Sequence, residues 1–249
     1  MSDEQSAEVT AAVLVIGDEI LSGRTKDINI GYIADYLTAI GIRLAEARVV
    51  PDIEDEIVAA LNALRAKYTY VLTTGGIGPT HDDITADAVA RAFGVSIAHH
   101  PEAVRILEER VGKENLNEAR LRMARIPDGA SLVANSVSGA PGFRIGNVVV
   151  MAGVPKIMQA MLDVAARDFR TGRKLHSETI RLDRKEGDIA EPLGAAQKEF
   201  SDVMMGSYPQ YSDGRFSVEV VMRAHDPARI AAAKAAFLAA LGETGRGAA

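Results

Sequence analysis

The sequence predicts an α/β fold in two domains. Residues 1–170 read as a three-layer, mostly parallel sheet with helices on both faces, and residues 171–249 as a small α+β domain. Three observations carry that reading. Ala11–Ile16 is an unbroken apolar run of strand length, as in strands buried on both faces. Strand-length and helix-length patterns then alternate, which favours parallel strands with right-handed crossovers. Past Thr171-Gly172-Arg173 the texture changes to half-exposed strands around one amphipathic helix and one Ala-rich helix.

Taken in order, the first strand is stopped by Gly17-Asp18. Ile30, Ile33, Ala34, Leu37 and Ile40 recur at helical spacing within Asp27–Gly41, with Gly41 as the stop. Ile42–Val50 reads as a second strand. Asp52 is a candidate N-cap for a helix Glu54–Ala66 that turns Ile57, Leu61 and Leu64 inward. Tyr70–Thr73 is a third strand, followed by a Gly-rich loop and a helix from Thr85 to Gly94. Pro101–Arg125 reads as helical and charged, lying outside the sheet. Ser131–Ala134 precedes a turn-rich stretch, and Phe143–Ile145 with Asn147–Ala152 forms a hairpin-like pair across Gly146-Asn147. Pro155 opens a helix that runs to about Phe169. The small domain reads strand His176–Leu182, helix Asp188–Phe200, strands Val203–Ser207 and Phe216–Arg223, and helix Pro227–Leu241. In that last helix Ile230, Ala233, Phe237 and Leu241 mark one buried face. Gly242–Ala249 has the composition of a frayed tail.

Composition narrows the chemistry. The 249 residues are 47% hydrophobic and 25% charged, enough apolar side chain to offset chain entropy. No apolar run approaches the length of a membrane span, and the polar, acidic start is not that of a secretory signal; the expected location is cytoplasmic. The absence of cysteine excludes disulfides, thiolate metal sites and Cys nucleophiles. A net charge of −6 and few aromatics argue against a nucleic-acid partner.

Three loops follow strand ends and should meet at one edge of a parallel sheet, where ligands bind. The first is Gly17–Gly23, carrying Asp18 and Glu19. The second runs from Thr73 to Asp83, and the third from Met151 to Lys156. In the second loop Gly75, Gly76 and Gly78 leave room for backbone N–H groups to face an anion, and Thr74 and Thr80 add hydroxyls. The helix that follows would present its positive end to the same place. Phosphate is the natural guest. Asp82 and Asp83 would repel it, so a hard divalent cation is the expected bridge. Asn29, Gly153 and Lys156 are further candidates to touch the ligand. His81 reads as a solvated loop histidine, and His99 and His100 as a strand end without metal-ligand spacing.

Four ordered motifs carry a resemblance. They are Gly17-Asp-Glu-Ile-Leu-Ser-Gly23 with Asn29, Gly75-Gly-Ile-Gly-Pro-Thr-His-Asp-Asp-Ile-Thr85, Asn135 with Gly139-Ala-Pro-Gly-Phe143, and Gly153-Val-Pro155. Together they resemble the molybdopterin-binding (MoCF biosynthesis) domain, closest to the N-terminal part of competence/damage-inducible protein A (CinA), without its C-terminal amidase domain. Gly206-Ser-Tyr-Pro209 resembles a recurring segment of that group's small second domain. Ile77 and Asp82 stand where molybdenum-cofactor enzymes carry Thr and Arg.

The resemblance implies a MogA-like fold, self-association into a homo-oligomer, and metal-dependent hydrolysis of a nucleotide pyrophosphate such as ADP-ribose or FAD. In that reading Asp18, Asp82 and Asp83 hold Mg²⁺ or a transition ion such as Co²⁺. Glu19 acts as base or orienter beside Asp82 and Asp83. Thr74, Gly75, Gly76, Gly78, Thr80, Gly153, Lys156 and Asn29 line the ligand. Two alternatives use the same loops: molybdopterin binding or adenylation in molybdenum cofactor biosynthesis, and a non-catalytic nucleotide- or pterin-binding module.

Overall fold

The computed structural model describes residues 8–212 and 214–244; most of the Gly242–Ala249 tail lies outside them. The chain divides into two compact units, Met1–Gly172 and Arg173–Ala249.

The first unit contains, in chain order, β1 (Thr10–Ile16), α1 (Asp18–Leu21), α2 (Asn29–Ala39), β2 (Arg43–Val50), α3 (Glu54–Lys67), β3 (Tyr70–Thr74) and α4 (Thr85–Phe93). There follow β4 (Ile97–His99), α5 (Pro101–Val111), α6 (Glu118–Arg122), β5 (Arg125–Pro127), β6 (Ser131–Val133), β7 (Gly142–Ile145), β8 (Val148–Met151) and α7 (Pro155–Ala165). Six strands form one sheet in the order β2-β1-β3-β8-β7-β6. β2, β1, β3 and β8 run parallel, while the β7–β8 hairpin and the β6–β7 pair are antiparallel. The sheet is therefore mostly parallel, with an antiparallel edge.

The alternation of β1 explains its unbroken apolar sequence. Ala12, Leu14 and Ile16 enter a core with Ile57, Leu61 and Leu64 of α3, Val89 of α4 and Leu107 of α5. Ala11, Val13 and Val15 enter a second core with Ile33 and Leu37 of α2 and Met158, Met161 and Leu162 of α7. Successive side chains of a strand point to opposite faces, so a strand between two helical layers needs apolar residues at every position. Each Val, Leu, Ile or Met side chain among them contributes roughly 1.5–3 kcal/mol on full burial.

The Asp52 cap and the stretch 101–125 depart from the sequence expectation. Asp52 does not cap α3: the residue at its N-cap is Ile53, in extended conformation with no side-chain cap. The Asp52 carboxylate instead accepts a hydrogen bond from the Asp18 backbone N–H at 2.9 Å. The stretch 101–125 is not one helix. Gly112, at φ +82°, closes α5, a 3₁₀ turn covers Lys113–Asn115, and α6 is short. Arg125–Pro127 then pairs antiparallel with Ile97–His99. That pairing joins segments far apart in sequence, which local periodicity cannot register.

The second unit contains β9 (His176–Leu182), α8 (Glu186–Glu199), β10 (Met204–Ser212), β11 (Arg215–Ala224) and α9 (Pro227–Thr244). Its antiparallel sheet has the order β10-β11-β9. Ile230, Ala233, Phe237 and Leu241 of α9 pack with Val218, Val220 and Met222 of β11 and Ile189 of α8. The helical stripe read from the sequence is thus core. β10 runs five residues beyond the expected Ser207, held by its register with β11 through Ser212–Arg215.

Candidate functional site

From β1 the chain passes to β2 on one side of the sheet, and later returns to place β3 on the other. The strand order reverses between β1 and β3, the position where open α/β sheets leave a crevice beyond their carboxyl ends. The loops after β1, β3 and β8 all leave from this edge.

They meet backbone against backbone. The Gly75 N–H donates to the Met151 carbonyl at 3.1 Å. A Cβ on Gly75 would lie 2.1 Å from the Ile16 carbonyl oxygen, and one on Gly153 would lie 3.3 Å from the Gly75 Cα. Gly75 has φ +102° and Gly76 φ +66°. A Cβ on Gly76 would collide with the Thr85 hydroxyl at 2.2 Å. That buried hydroxyl donates to the Gly75 carbonyl at 2.9 Å, and the Thr85 N–H donates to the Gly76 carbonyl at 3.0 Å. The loop glycines are thus required by close packing in addition to any ligand. The first N–H of α4, expected to face an anion, is already used within the loop.

Asp83 holds the far end of the same loop. Its Oδ2 accepts from the Thr80 N–H at 2.8 Å and from the Thr80 hydroxyl at 2.5 Å, and its own N–H donates back to the Thr80 carbonyl at 3.3 Å. This is a closed turn in which the carboxylate takes the place of a backbone acceptor.

A cavity of about 510 Å³ opens where the loops meet. Glu19 contributes from the first loop, Gly75, Gly76, Gly78 and Asp83 from the second, and Gly153 from the third. Behind this wall lie two buried polar side chains with unused capacity. The Asn29 Nδ2 donates to the Gly153 carbonyl at 2.8 Å, while its Oδ1 is buried without a hydrogen-bond partner. The hydroxyl of Thr74, next to Gly75, is likewise buried and unpaired. Buried polar atoms without partners are rare and point to a water or ligand. Asp18, Asp82, Thr80 and Lys156 are exposed and stand off the cavity wall.

A fourth segment completes the wall and was not among the expected site residues. Asn135 and Ser138 line the cavity from the turn before β7. The Asn135 Oδ1 accepts from the Val137 N–H at 3.0 Å and its Nδ2 donates to the Ala140 carbonyl at 2.9 Å, which fixes the turn. The signal was present in the Asn135–Phe143 motif, but only as a resemblance. Met123, just past α6, also faces the cavity.

The charge around the first loop is unbalanced. Burial pushes the Asp52 carboxyl above its usual range; the bond from the Asp18 N–H partly opposes this, and the neighbouring charges of Glu19, Asp18 and Asp82 push it further up. Asp82 is lowered by hydrogen bonding from the Thr80 hydroxyl, which Asp83 also engages, by its own backbone N–H, and then by the charges of His81 and Arg122. His81 is 99% exposed and 4.0 Å from Asp82, a solvated side chain as its sequence context suggested.

Among the described residues no three His, Asp or Glu side chains converge on one metal position. The expected trio Asp18, Asp82 and Asp83 is not a pre-built cage, because Asp83 is committed to its turn. The donor set still fits a hard cation of the kind held by one or two carboxylates and completed by substrate phosphates. Its oxygens are of the hard kind that such a cation takes.

Comparison with known proteins follows this division of the chain. Residues 12–171 match a family described as probable molybdopterin binding domain, and residues 174–246 match one described as FAD synthase, middle domain. A CinA-like protein of Citrifermentans bemidjiense is 38% identical over 224 residues, 86% of this chain and 53% of its own length. A probable FAD synthase of Caenorhabditis elegans is 33% identical over 240 residues, 86% of this chain and 46% of its own. This chain therefore spans about half the length of these two relatives. The crystal structure of the protein CinA with unknown function from Thermoplasma acidophilum superposes with a TM-score of 0.61 at 34% identity, covering 64% of this chain and 96% of that one.

Proposed function

The chain belongs to the probable molybdopterin binding domain family over residues 12–171, and on that premise we propose that its cavity binds a nucleotide phosphate and hydrolyses a pyrophosphate bond. The substrate class is a dinucleotide-like diphosphate such as FAD or ADP-ribose. The observation that carries this reading is the cavity of about 510 Å³ lined by Gly75, Gly76, Ile77 and Gly78 together with the acidic residues Glu19 and Asp83. The match of residues 174–246 to the middle domain of FAD synthase supports a flavin nucleotide over other diphosphates.

In this reading the diphosphate lies along the backbone of the Gly75–Gly78 loop. Asp18 and Asp82, exposed beside the cavity, would hold Mg²⁺ or an ion such as Co²⁺ together with the substrate. That ion supplies Lewis acidity and a more acidic bound water. Glu19, exposed and on the wall, orients the attacking water and takes its proton. The water oxygen bonds to one phosphorus as the bridging P–O bond breaks, so FAD would give FMN and AMP. Positioning and charge stabilisation do the work, with no covalent intermediate.

The decisive experiment incubates the full chain with FAD, ADP-ribose or ATP plus Mg²⁺, Mn²⁺ or Co²⁺, and follows AMP. Release from FAD or ADP-ribose supports the reading; none from any pair, with the protein shown to be folded, ends it. The family description favours a second reading, molybdopterin binding with or without adenylation, and ATP-dependent adenylation of molybdopterin would establish it. The commitment of Asp83 to its turn favours a third, a non-catalytic nucleotide or pterin module. Tight ligand binding without turnover, unchanged by Asp82→Ala plus Asp83→Ala, would select it.

A further inference from the structure

Against the loop Gly76–Gly78 is a second, much smaller opening of about 10 Å³, room for one oxygen-sized atom. It shares Gly76, Ile77, Gly78, Asp83 and Met123 with the large cavity, so the two adjoin along one loop. Two arginines line it, Arg122 at the end of α6 and Arg125 in β5. They differ in their partners. Arg125 is spent, held by Asp87 through Nη2 at 2.5 Å and Nη1 at 2.8 Å. Arg122 forms no ion pair among the described residues. Its Nη2 donates to the Asp83 carbonyl at a long 3.3 Å, and its Nε is buried with no acceptor.

We infer that Arg122 is a ligand-binding residue that recognises a phosphoryl oxygen entering at the Gly76–Gly78 loop. This deepens the proposed phosphate site and rests on it. Nucleotide phosphates bring further negative charge to a loop that already carries Asp82 and Asp83. The Asp83 carboxylate is met by neutral donors of Thr80 and not by a cation. A guanidinium offers paired donors in a fixed plane that match phosphoryl oxygens. The unpaired Nε supplies such a donor, and the opening that Arg122 lines has the size of one oxygen atom. Neither the helix pattern of 101–125 nor the glycine motif indicates Arg122, because its place beside the loop is set by the α6–β5 connection.

The test uses the full chain and calorimetric binding of three probes: inorganic pyrophosphate, AMP, and adenosine as the phosphate-free control. In Arg122→Met, affinity for pyrophosphate and AMP should fall at least tenfold, with adenosine unchanged and the melting temperature within a few degrees of the parent. Arg122→Lys should recover part of the loss, because it restores charge without the planar fork. Arg122→Gln replaces Met if that variant does not fold. Parent-like affinity for pyrophosphate in the folded variants overturns the inference, as does an equal loss for adenosine. So does a parent that binds neither anion, which would leave the small opening to an ordered water. Binding is read without turnover, so a parent that binds pyrophosphate through Arg122 but releases no AMP refutes hydrolysis and leaves this site standing.

Discussion

The carboxylate of Asp52, in the loop after β2, accepts the backbone N–H of Asp18, 34 residues earlier, at 2.9 Å. The bond ties the loop after β1 to the loop after β2 and so holds Glu19 at the cavity. Its cost is electrostatic, since the Asp52 carboxyl is raised first by burial and then by Glu19, Asp18 and Asp82. An acid whose folded pKa is raised weakens the fold when ionised and is relieved as pH falls. Asp52→Asn keeps an acceptor and removes the charge. It should melt at or slightly above the parent temperature at pH 7, and the two curves should converge as pH is lowered through the Asp52 titration. Asp52→Ala also loses the acceptor and should be less stable than Asp52→Asn by about 1 kcal/mol. Thermal melts between pH 3 and pH 8 read both effects.

Asp83 serves the turn before it serves chemistry. Asp83→Ala should lose roughly 1–2 kcal/mol, because the Thr80 N–H and hydroxyl lose their common acceptor. Asp83→Asn retains an acceptor oxygen and should lose less than about 1 kcal/mol. If the carboxylate charge is needed for hydrolysis, Asp83→Asn abolishes AMP release while remaining folded. Urea melts and the AMP assay on one preparation separate the two roles.

The loop glycines differ in what a methyl group would meet. At Gly75 it would lie 2.1 Å from the Ile16 carbonyl, on a backbone at φ +102°. Gly75→Ala should therefore cost roughly 3 kcal/mol or more. At Gly23, with φ +72° and open space around the added carbon, Gly23→Ala should cost only about 1 kcal/mol. Equal denaturation midpoints for the two variants would show that the loops do not pack as described.

Glu46 sets part of the acid limit of the fold. Its carboxyl is lowered from the usual 4.5 to about 2, chiefly by the Tyr68 hydroxyl and then by Arg48 and Lys67. The Tyr68 hydroxyl donates to Oε2 at 2.5 Å. A depressed folded pKa stabilises above the unfolded value and loses that contribution as pH falls through the folded one. The stability gap between parent and Glu46→Gln should be full above about pH 5 and close between pH 4.5 and 2. A gap independent of pH would assign Glu46 a packing role alone.

The first unit was legible because its central strands β1, β3 and β8 are buried on both faces. Ala11–Ile16 needs no partner to be recognised, and Gly75 and Gly76 stand at the positive φ that glycine most readily adopts. The antiparallel β4–β5 pair was not legible, since three-residue strands 26 positions apart leave no periodic trace. Asp52 looked like a helix cap because capping is a local pattern, whereas its actual partner lies 34 residues away.

By itself the sequence determined the class of fold, the two-part organisation, the family and the loops that form the sheet edge. The fold class and the loops follow from local patterning, which the chain carries residue by residue, and the family from the resemblance of its loop motifs. Only the tertiary structure decided the use of individual side chains. It placed Glu19, Asp83 and Gly153 on one cavity and left Lys156 off it. It committed Asp83 to Thr80, and it left Arg122 with a buried, unused donor beside the glycines. A carboxylate or a guanidinium has no fixed role until folding supplies its neighbours, because hydrogen bonds and desolvation act over a few ångströms in space whatever the separation along the chain.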